Sequence, residues 1–170
     1  MTVELRLLDE SDAEAIFSGQ CPEGFAAAPD YPAEGDRVAA GLFLERLAAG
    51  VDPRPFGAFA VCLVPSDEAD RADPECAEVL VGGIGFHGPP DEQGRVEIGY
   101  GIVPSQRRKG LATQALRQLV DHARALGAAT LTAETEQDNE PSRAVLNHVG
   151  FALIAEDERT AWFELPLGSQ

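Results

Sequence analysis

Seven apolar residues at helical spacing, Leu111, Ala115, Leu116, Leu119, Val120, Ala123 and Leu126, fix a long amphipathic helix over residues 109–126, which Gly127 closes. A single apolar stripe of that length must be covered by another layer of structure, and the flanking residues supply a sheet. Residues 3–8 alternate apolar and polar. Residues 56–64 form a continuous apolar run between Pro55 and Pro65. Residues 78–87, 95–103, 129–135, 151–155 and 160–165 read as further strands. Shorter helices are expected from Ser11, with Glu14 at capping-box spacing, and over 140–148, with Asn139 as N-cap, Pro141 in the first turn and Gly150 at the end. Residues 36–49 also read as helical, although Val38, Gly41, Leu42 and Leu47 fit only part of a stripe. Residues 21–35 and 65–77 are rich in breakers and read as loops, the second as a mobile surface loop. The expectation for residues 1–170 is one α+β domain, with helices on a mainly antiparallel sheet.

Residues 88–94 join two strands as a hairpin. A symmetric loop places Ile84 opposite Ile98 and Phe86 opposite Val96, with Gly85, His87, Arg95 and Glu97 together on the other face.

Charge excludes several function classes. The chain carries 29 acidic and 13 basic side chains, a formal net charge of −16. Such a surface repels phosphate backbones, which argues against nucleic-acid binding, and it steers cations inward. No run approaches the ~20 apolar residues of a membrane span. The opening Met1-Thr-Val-Glu-Leu-Arg6 carries no secretory leader. A cytoplasmic protein without membrane contact is therefore expected. Cys21, Cys62 and Cys76 are odd in number and lack CxxC spacing, which predicts buried, reduced thiols and no metal site.

Against this acidic background, Arg107, Arg108 and Lys109 are consecutive, and Lys109 is the only lysine. Gly110-Leu111-Ala112-Thr113 follows at the start of the long helix. The first helical turn offers main-chain N–H groups with no partner inside the helix, and the helix dipole adds partial positive charge there. Small residues let anionic oxygens approach closely, so the segment predicts a phosphate site. It is not a P-loop, since GxxxxGK[ST] is absent. Gly83-Ile-Gly85-Phe-His-Gly88 matches GxGxxG, but Pro89-Pro90 follows instead of a helix. No acidic residue stands about 20 positions on, so a nicotinamide oxidoreductase is not supported.

Taken together, Val96-Glu-Ile-Gly-Tyr-Gly-Ile-Val103 and Arg107-Arg-Lys-Gly110-Leu-Ala112 resemble the acetyl-CoA signature of the GCN5-related N-acetyltransferase (GNAT) superfamily, Arg/Gln-x-x-Gly-x-Gly/Ala. Asn139-x-x-Ser142 with Val149-Gly-Phe151 is similar to its second signature, and residues 2–17 resemble the RimJ/RimL branch. The resemblance implies a three-layer α/β/α fold in which a bulge splays the strand of residues 98–103 from the parallel strand of residues 129–135. It implies that acetyl-CoA is the donor. The pantetheine arm would bond to the main chain at Ile102 and Val103. The pyrophosphate would sit on the N–H groups of Arg108, Lys109, Gly110, Leu111, Ala112 and Thr113, beside Arg107. Asn139 would contact the pantetheine or hold the loop near it. A homodimer is a further expectation of the resemblance.

The reaction implied is direct attack of a primary amine, from a peptide N-terminus or a small molecule, on the acetyl thioester. An ammonium has no lone pair, so a base is required. Glu97 is the candidate, its basicity expected to rise with burial in an apolar strand. His87 shares its face and is placed with the substrate, as a proton relay. His122 and His148 read as structural. Many family members carry a tyrosine seven residues after the signature asparagine, as donor to the leaving thiolate. That position here is Leu146, and Ser142 is the replacement candidate. The missing tyrosine keeps open an alternative, a non-catalytic acyl-CoA-binding module.

Overall fold

The computed structural model describes residues 1–71, 73 and 77–168. The chain runs β1 (Thr2–Leu7), α1 (Glu10–Phe17), β2 (Ala26–Ala27), α2 (Glu34–Ala48), β3 (Ala58–Val64), α3 (Glu68–Arg71), β4 (Val79–Phe86), β5 (Arg95–Ile102), α4 (Leu111–Ala125), β6 (Thr130–Glu136), α5 (Glu140–Val149), β7 (Ala152–Glu156) and β8 (Thr160–Pro166), with a 3-10 turn at Pro104–Gln106. The strands form one sheet in the order β1-β3-β4-β5-β6-β8-β7, and β2 pairs in parallel with the start of β4. Along the main path every pairing is antiparallel except β5 with β6.

Alternation along the strands sorts side chains onto two faces. On one face Phe59, Val61, Ile84, Ile98 and Leu131 pack under Leu116, Leu119, Val120 and Ala123 of α4. On the other, Ala60, Cys62, Val64 and Leu80 meet Ala13 and Ile16 of α1 with Ala40 and Phe43 of α2. Leu116 and Leu119 are fully buried, and each such leucine stabilises the fold by roughly 1.5–3 kcal/mol. The expected three-layer architecture is present.

Several local expectations are corrected. The N-cap of α1 is Asp9, not Ser11. Its carboxylate accepts the Asp12 N–H at 2.9 Å while Asp12 accepts the Asp9 N–H at 3.2 Å, a capping box made from two aspartates. Helix α2 starts at Glu34, and Asp36 in its first turn accepts the Ala33 N–H at 2.8 Å. Its buried residues are Ala40 and Phe43, whereas Val38 and Leu42 are exposed. Each of the two expected loops holds a short element, β2 in the first and α3 in the second. Cys62 is buried and Cys21 half-buried, both as free thiols, while Cys76 lies outside the described residues.

The hairpin register slides by two. Ile84 faces Tyr100 and Phe86 faces Ile98, because the loop is asymmetric: a tight turn closes on Asp91, whose carboxylate accepts the N–H groups of Gln93 and Arg95. An even slip keeps every side chain on its expected face. Arg95 still leaves the His87–Glu97 group, because its guanidinium pairs with Glu164 on β8 at 2.9 Å.

The parallel pair diverges as expected. β5 and β6 pair from Arg95↔Thr130 to Ile98↔Ala133, and no further. β5 stays paired with β4 up to Ile102↔Gly82, without a register shift. The extra residue is instead Val81 of β4, between the pairs Val61↔Gly82 and Cys62↔Leu80, so the irregularity sits one strand away from the implied position.

Candidate active site

The divergence leaves half of β5 without a neighbour on its β6 side. Val103 donates to the Val81 carbonyl and Glu97 accepts the His87 N–H, so odd-numbered residues of β5 direct their main-chain groups at β4. Strand alternation then turns Tyr100 and Ile102 toward the gap. Val103 is therefore committed inside the protein, since its carbonyl also accepts the Gln106 N–H at 3.0 Å. Tyr100 takes its place beside Ile102 as a main-chain group facing the gap.

The turn after β5 leads to the entry of α4. Arg108 has φ 63° and Gly110 φ 73°. Gly110 is the N-cap of α4, and no side chain caps the helix, so the first-turn N–H groups of Leu111, Ala112 and Thr113 point out at its positive end. Arg107 folds back, its Nε donating to the Ile102 carbonyl at 2.9 Å, while Lys109 Nζ bonds Gln106 Oε1 at 2.8 Å. The gap and this turn adjoin, which suits an extended ligand carrying an anionic linker.

On the opposite side of β5 lies a cavity of about 780 Å³. Its floor is glycine: Gly83 and Gly85 of β4 with Gly99 and Gly101 of β5 share one face of the sheet. Its roof is α2. These glycines are the GxGxxG match and its partners across the strand pair. Their missing side chains make room between sheet and helix, and no nucleotide turn is involved. A Cβ on Gly99 would fall 2.7 Å from His87 Nε2, so the imidazole lies over the floor. His87 Nδ1 is 3.2 Å from Glu97 Oε1. The two expected partners are thus adjacent, but the expected burial of Glu97 is not found. Its side chain is 45 % exposed and that of His87 52 %, because β5 begins at the rim of the sheet there. His87 lines the cavity, and Glu97 stands behind it.

At the other end of β5, the Tyr100 hydroxyl lies 2.9 Å from Ser142 Oγ and donates to the Ser142 carbonyl at 3.1 Å. Burial pushes the Tyr100 hydroxyl above its usual range, opposed by the hydrogen bond from Ser142, so it stays protonated. Sequence reading missed Tyr100. Its place between two glycines in a strand was the available signal. Asn139 is the N-cap of α5, its Oδ1 accepting the Ser142 N–H at 3.1 Å, so it positions Ser142. Leu146 is 1 % exposed, a core residue. His122 packs against Phe59 and Phe86, as a structural role requires, and His148 is exposed. Burial raises the Cys62 thiol to about 12, which removes it as a nucleophile. Among the described residues no cluster of metal-binding side chains occurs and no helix is long and apolar enough to cross a membrane.

A mixed sheet opened between two parallel strands, with an uncapped helix entry at the opening, defines the acetyltransferase class of fold. The acetyltransferase (GNAT) domain model matches residues 2–152, and the chain belongs to that family. It is 41% identical over 75 residues to the uncharacterized N-acetyltransferase YjdG of Bacillus subtilis strain 168, a match covering 44% of this chain and 45% of that protein. The chain thus spans less than half the length of the curated relatives it matches. Among solved structures it is similar to RimL, the ribosomal L7/L12 alpha-N-protein acetyltransferase, in complex with coenzyme A, at TM-score 0.65, 18% identity and 98% and 94% coverage of the two chains. It is also similar to yncA of Salmonella typhimurium with acetyl-CoA, at TM-score 0.61, 17% identity and 100% and 96% coverage.

Proposed function

We propose that the protein is an acetyl-CoA-dependent N-acetyltransferase that moves an acetyl group directly to a primary amine, from a peptide N-terminus or a small molecule. The observation that carries this reading is the uncapped α4 entry, opened by Gly110 in the left-handed conformation, at the mouth of the β5–β6 gap. Acetyl-CoA fits these residues as donor: the pyrophosphate on the N–H groups from Arg108 to Thr113, the pantetheine along Tyr100 and Ile102. Arg107 holds the Ile102 carbonyl and so shapes the seat of the thioester.

The acceptor enters the glycine-floored cavity. His87 Nε2 takes the amine proton, directly or through a water, and Glu97 at Nδ1 stabilises the imidazolium that forms. The nitrogen lone pair then attacks the thioester carbonyl. The oxyanion faces the main-chain N–H groups of the gap, the C–S bond breaks, and the thiolate takes a proton. Ser142 supplies that proton once the Tyr100 hydroxyl turns its hydrogen from the Ser142 carbonyl to Ser142 Oγ, which frees the serine hydroxyl to point at the sulfur.

Replacing Tyr100 by Phe or Ser142 by Ala removes one hydrogen bond in this chain, worth about 0.5–1.5 kcal/mol. Each variant is expected to lose up to roughly tenfold in kcat, and the double variant little more, since both act on one proton. Steady-state rates of thiol release check this. Gly110→Val forces a β-branched residue to φ 73°. The α4 entry then shifts, and coenzyme A affinity by calorimetry is expected to fall at least tenfold.

Leu146, in the core where many relatives place a tyrosine, favours a second reading, an acyl-CoA-binding module without turnover. A thiol-release assay over amines and peptides with free N-termini decides between them. Turnover above background establishes the enzyme. Tight coenzyme A binding with no turnover of any amine establishes the module.

A further inference from the structure

The cavity contains a carboxylate that this mechanism does not use. Asp36 projects from the first turn of α2 into the space above the floor. Its Oδ2 accepts the Ala33 N–H. Its Oδ1 has no hydrogen-bond or ion-pair partner among the described residues. A Cβ on Gly83 would lie 2.7 Å from Oδ1, so that oxygen rests directly on the glycine floor. Gly83 is paired with Gly101 of β5. Oδ1 therefore stands one strand spacing, about 4.8 Å, from the stretch of β5 that faces the gap on its other side. Glu97 lies four residues further along β5, roughly 13 Å away.

An ionised carboxylate half out of water with one N–H to hold it is costly to keep. A neutral amide side chain at this third helical position would serve the Ala33 N–H without that cost. Tyr31, in the cavity wall, is kept neutral by burial and by the charge of Asp36, and a phenol has no cationic form to offer as counter-charge. Along α2 beyond Asp36 the wall is apolar at Ala39 and Phe43, one and two helical turns on; of the charged side chains at the cavity, Arg46 donates to the His87 carbonyl, Arg107 to the Ile102 carbonyl, and Glu34 stands at the start of α2. A charged oxygen at the inner end of an apolar slot is complementary to an alkylammonium: the cation at the tip, the stem between Phe43 and the glycines.

Building on the acetyltransferase reading, we infer that Asp36 Oδ1 is the docking point for the acceptor's ammonium. It holds the nitrogen over Gly83 and Gly101, and the nitrogen then moves two residues along β5 to His87, which lies over Gly99, to lose its proton. The acceptor class is a primary alkylammonium with an apolar stem. Neutral amides and alcohols of the same shape leave Asp36 unpaired and are excluded.

Burial raises the Asp36 carboxyl above its ordinary value, with the Ala33 hydrogen bond opposing. A raised acid favours folding below the ordinary Asp value near 3.9, and that contribution is lost as pH rises through the raised value. Asp36→Asn keeps an acceptor for the Ala33 N–H and removes the buried charge. A purely structural Asp36 would leave acceptor binding untouched.

The test uses the full chain saturated with coenzyme A, titrated with n-butylammonium and, as control, n-butanol, following amide shifts of Gly83 and Gly101 by NMR at pH 7. Wild type is expected to bind the ammonium and not the alcohol. Asp36→Asn is expected to bind the ammonium at least tenfold more weakly, with unchanged coenzyme A affinity and a Tm no lower than wild type. In turnover, its acceptor KM rises at least tenfold while its acetyl-CoA KM stays. Equal ammonium binding by wild type and variant overturns the inference, as does no binding by wild type. Ammonium binding through Asp36 with no turnover of any amine sinks the acetyltransferase reading and leaves the docking point standing. Turnover that Asp36→Asn leaves unchanged does the reverse.

Discussion

Replacing Glu97 by Gln, or His87 by Ala, is expected to lower kcat at neutral pH by about a hundredfold or more for a lysine-type amine, the usual range for losing a general base. The 3.2 Å contact between the two side chains means that each substitution disables the same relay. The double variant should therefore lose little beyond either single one. A lysine-type amine, with a pKa near 10.4, is almost wholly protonated at neutral pH, whereas a peptide α-amine near 7.7–8.0 is partly free. The same variants should then lose much less with a peptide N-terminus. Their rates should climb tenfold per pH unit toward the amine's own pKa, while wild type flattens earlier. Measuring kcat/KM from pH 6 to 10 with both acceptor types checks the assignment. A Glu97→Gln enzyme as fast as wild type at pH 7 and below would remove Glu97 and His87 from the reaction.

The second large effect is structural. A Cβ on Gly82 would overlap the Gly101 carbonyl oxygen and approach the Ile102 Cα to 3.0 Å, both main-chain atoms that cannot swing aside. Gly82→Ala must therefore push β5 away from β4 at the residues that border the gap. Overpacking of this kind costs typically 1–3 kcal/mol, and more against backbone, so about 3 kcal/mol is expected. For a chain of this length that corresponds to a fall in Tm of roughly 6–12 °C. Because the shifted segment carries Tyr100 and Ile102, coenzyme A binding should weaken along with stability. Calorimetric melting with and without coenzyme A separates the two. A variant that melts like wild type would show that β4 and β5 can part without strain. Gly24, with nothing within 4 Å of its Cβ direction, offers no comparable packing clash, although its φ of 86° strains any substitution.

The helix entry and the gap beside it were legible in the sequence because their signals are local. The Arg107–Gly110–Ala112 spacing, the apolar stripe of α4 and the Asn139 cap all act within a few residues of chain, and each is found where it was expected. The glycine-floored cavity was not legible, for physical reasons that particular residues illustrate. Asp36 read as one more acid on a helix with an irregular stripe, since its distinction comes from Gly83, 47 positions away in the chain. Val38 and Leu42 broke the expected stripe because they flank a cavity and not a core. Tyr100 earns its role from Ser142 across the gap. The hairpin register slipped because Asp91 closes its turn through side-chain bonds that pattern matching does not weigh. Glu97 and His87 were paired correctly, since a two-residue slip preserves the face, but the exposure of Glu97 depends on where the sheet ends.

Helix α2 is held from both ends. Ahead of it, Asp30 accepts hydrogen bonds from the Ser105 N–H and hydroxyl in the turn after β5, which hold its carboxyl below the usual aspartate range. Toward its end, Arg46 donates to the His87 carbonyl at 2.6 Å. The roof over the glycine floor is accordingly a clamped beam and not a flap. On the proposed reading, an incoming amine would meet a slot that already has its final width, and its affinity would be spared the ordering penalty that a closing segment would exact. Selection on that reading would work by rejection at a fixed aperture, with the rim bounded by these two clasps setting which stems pass.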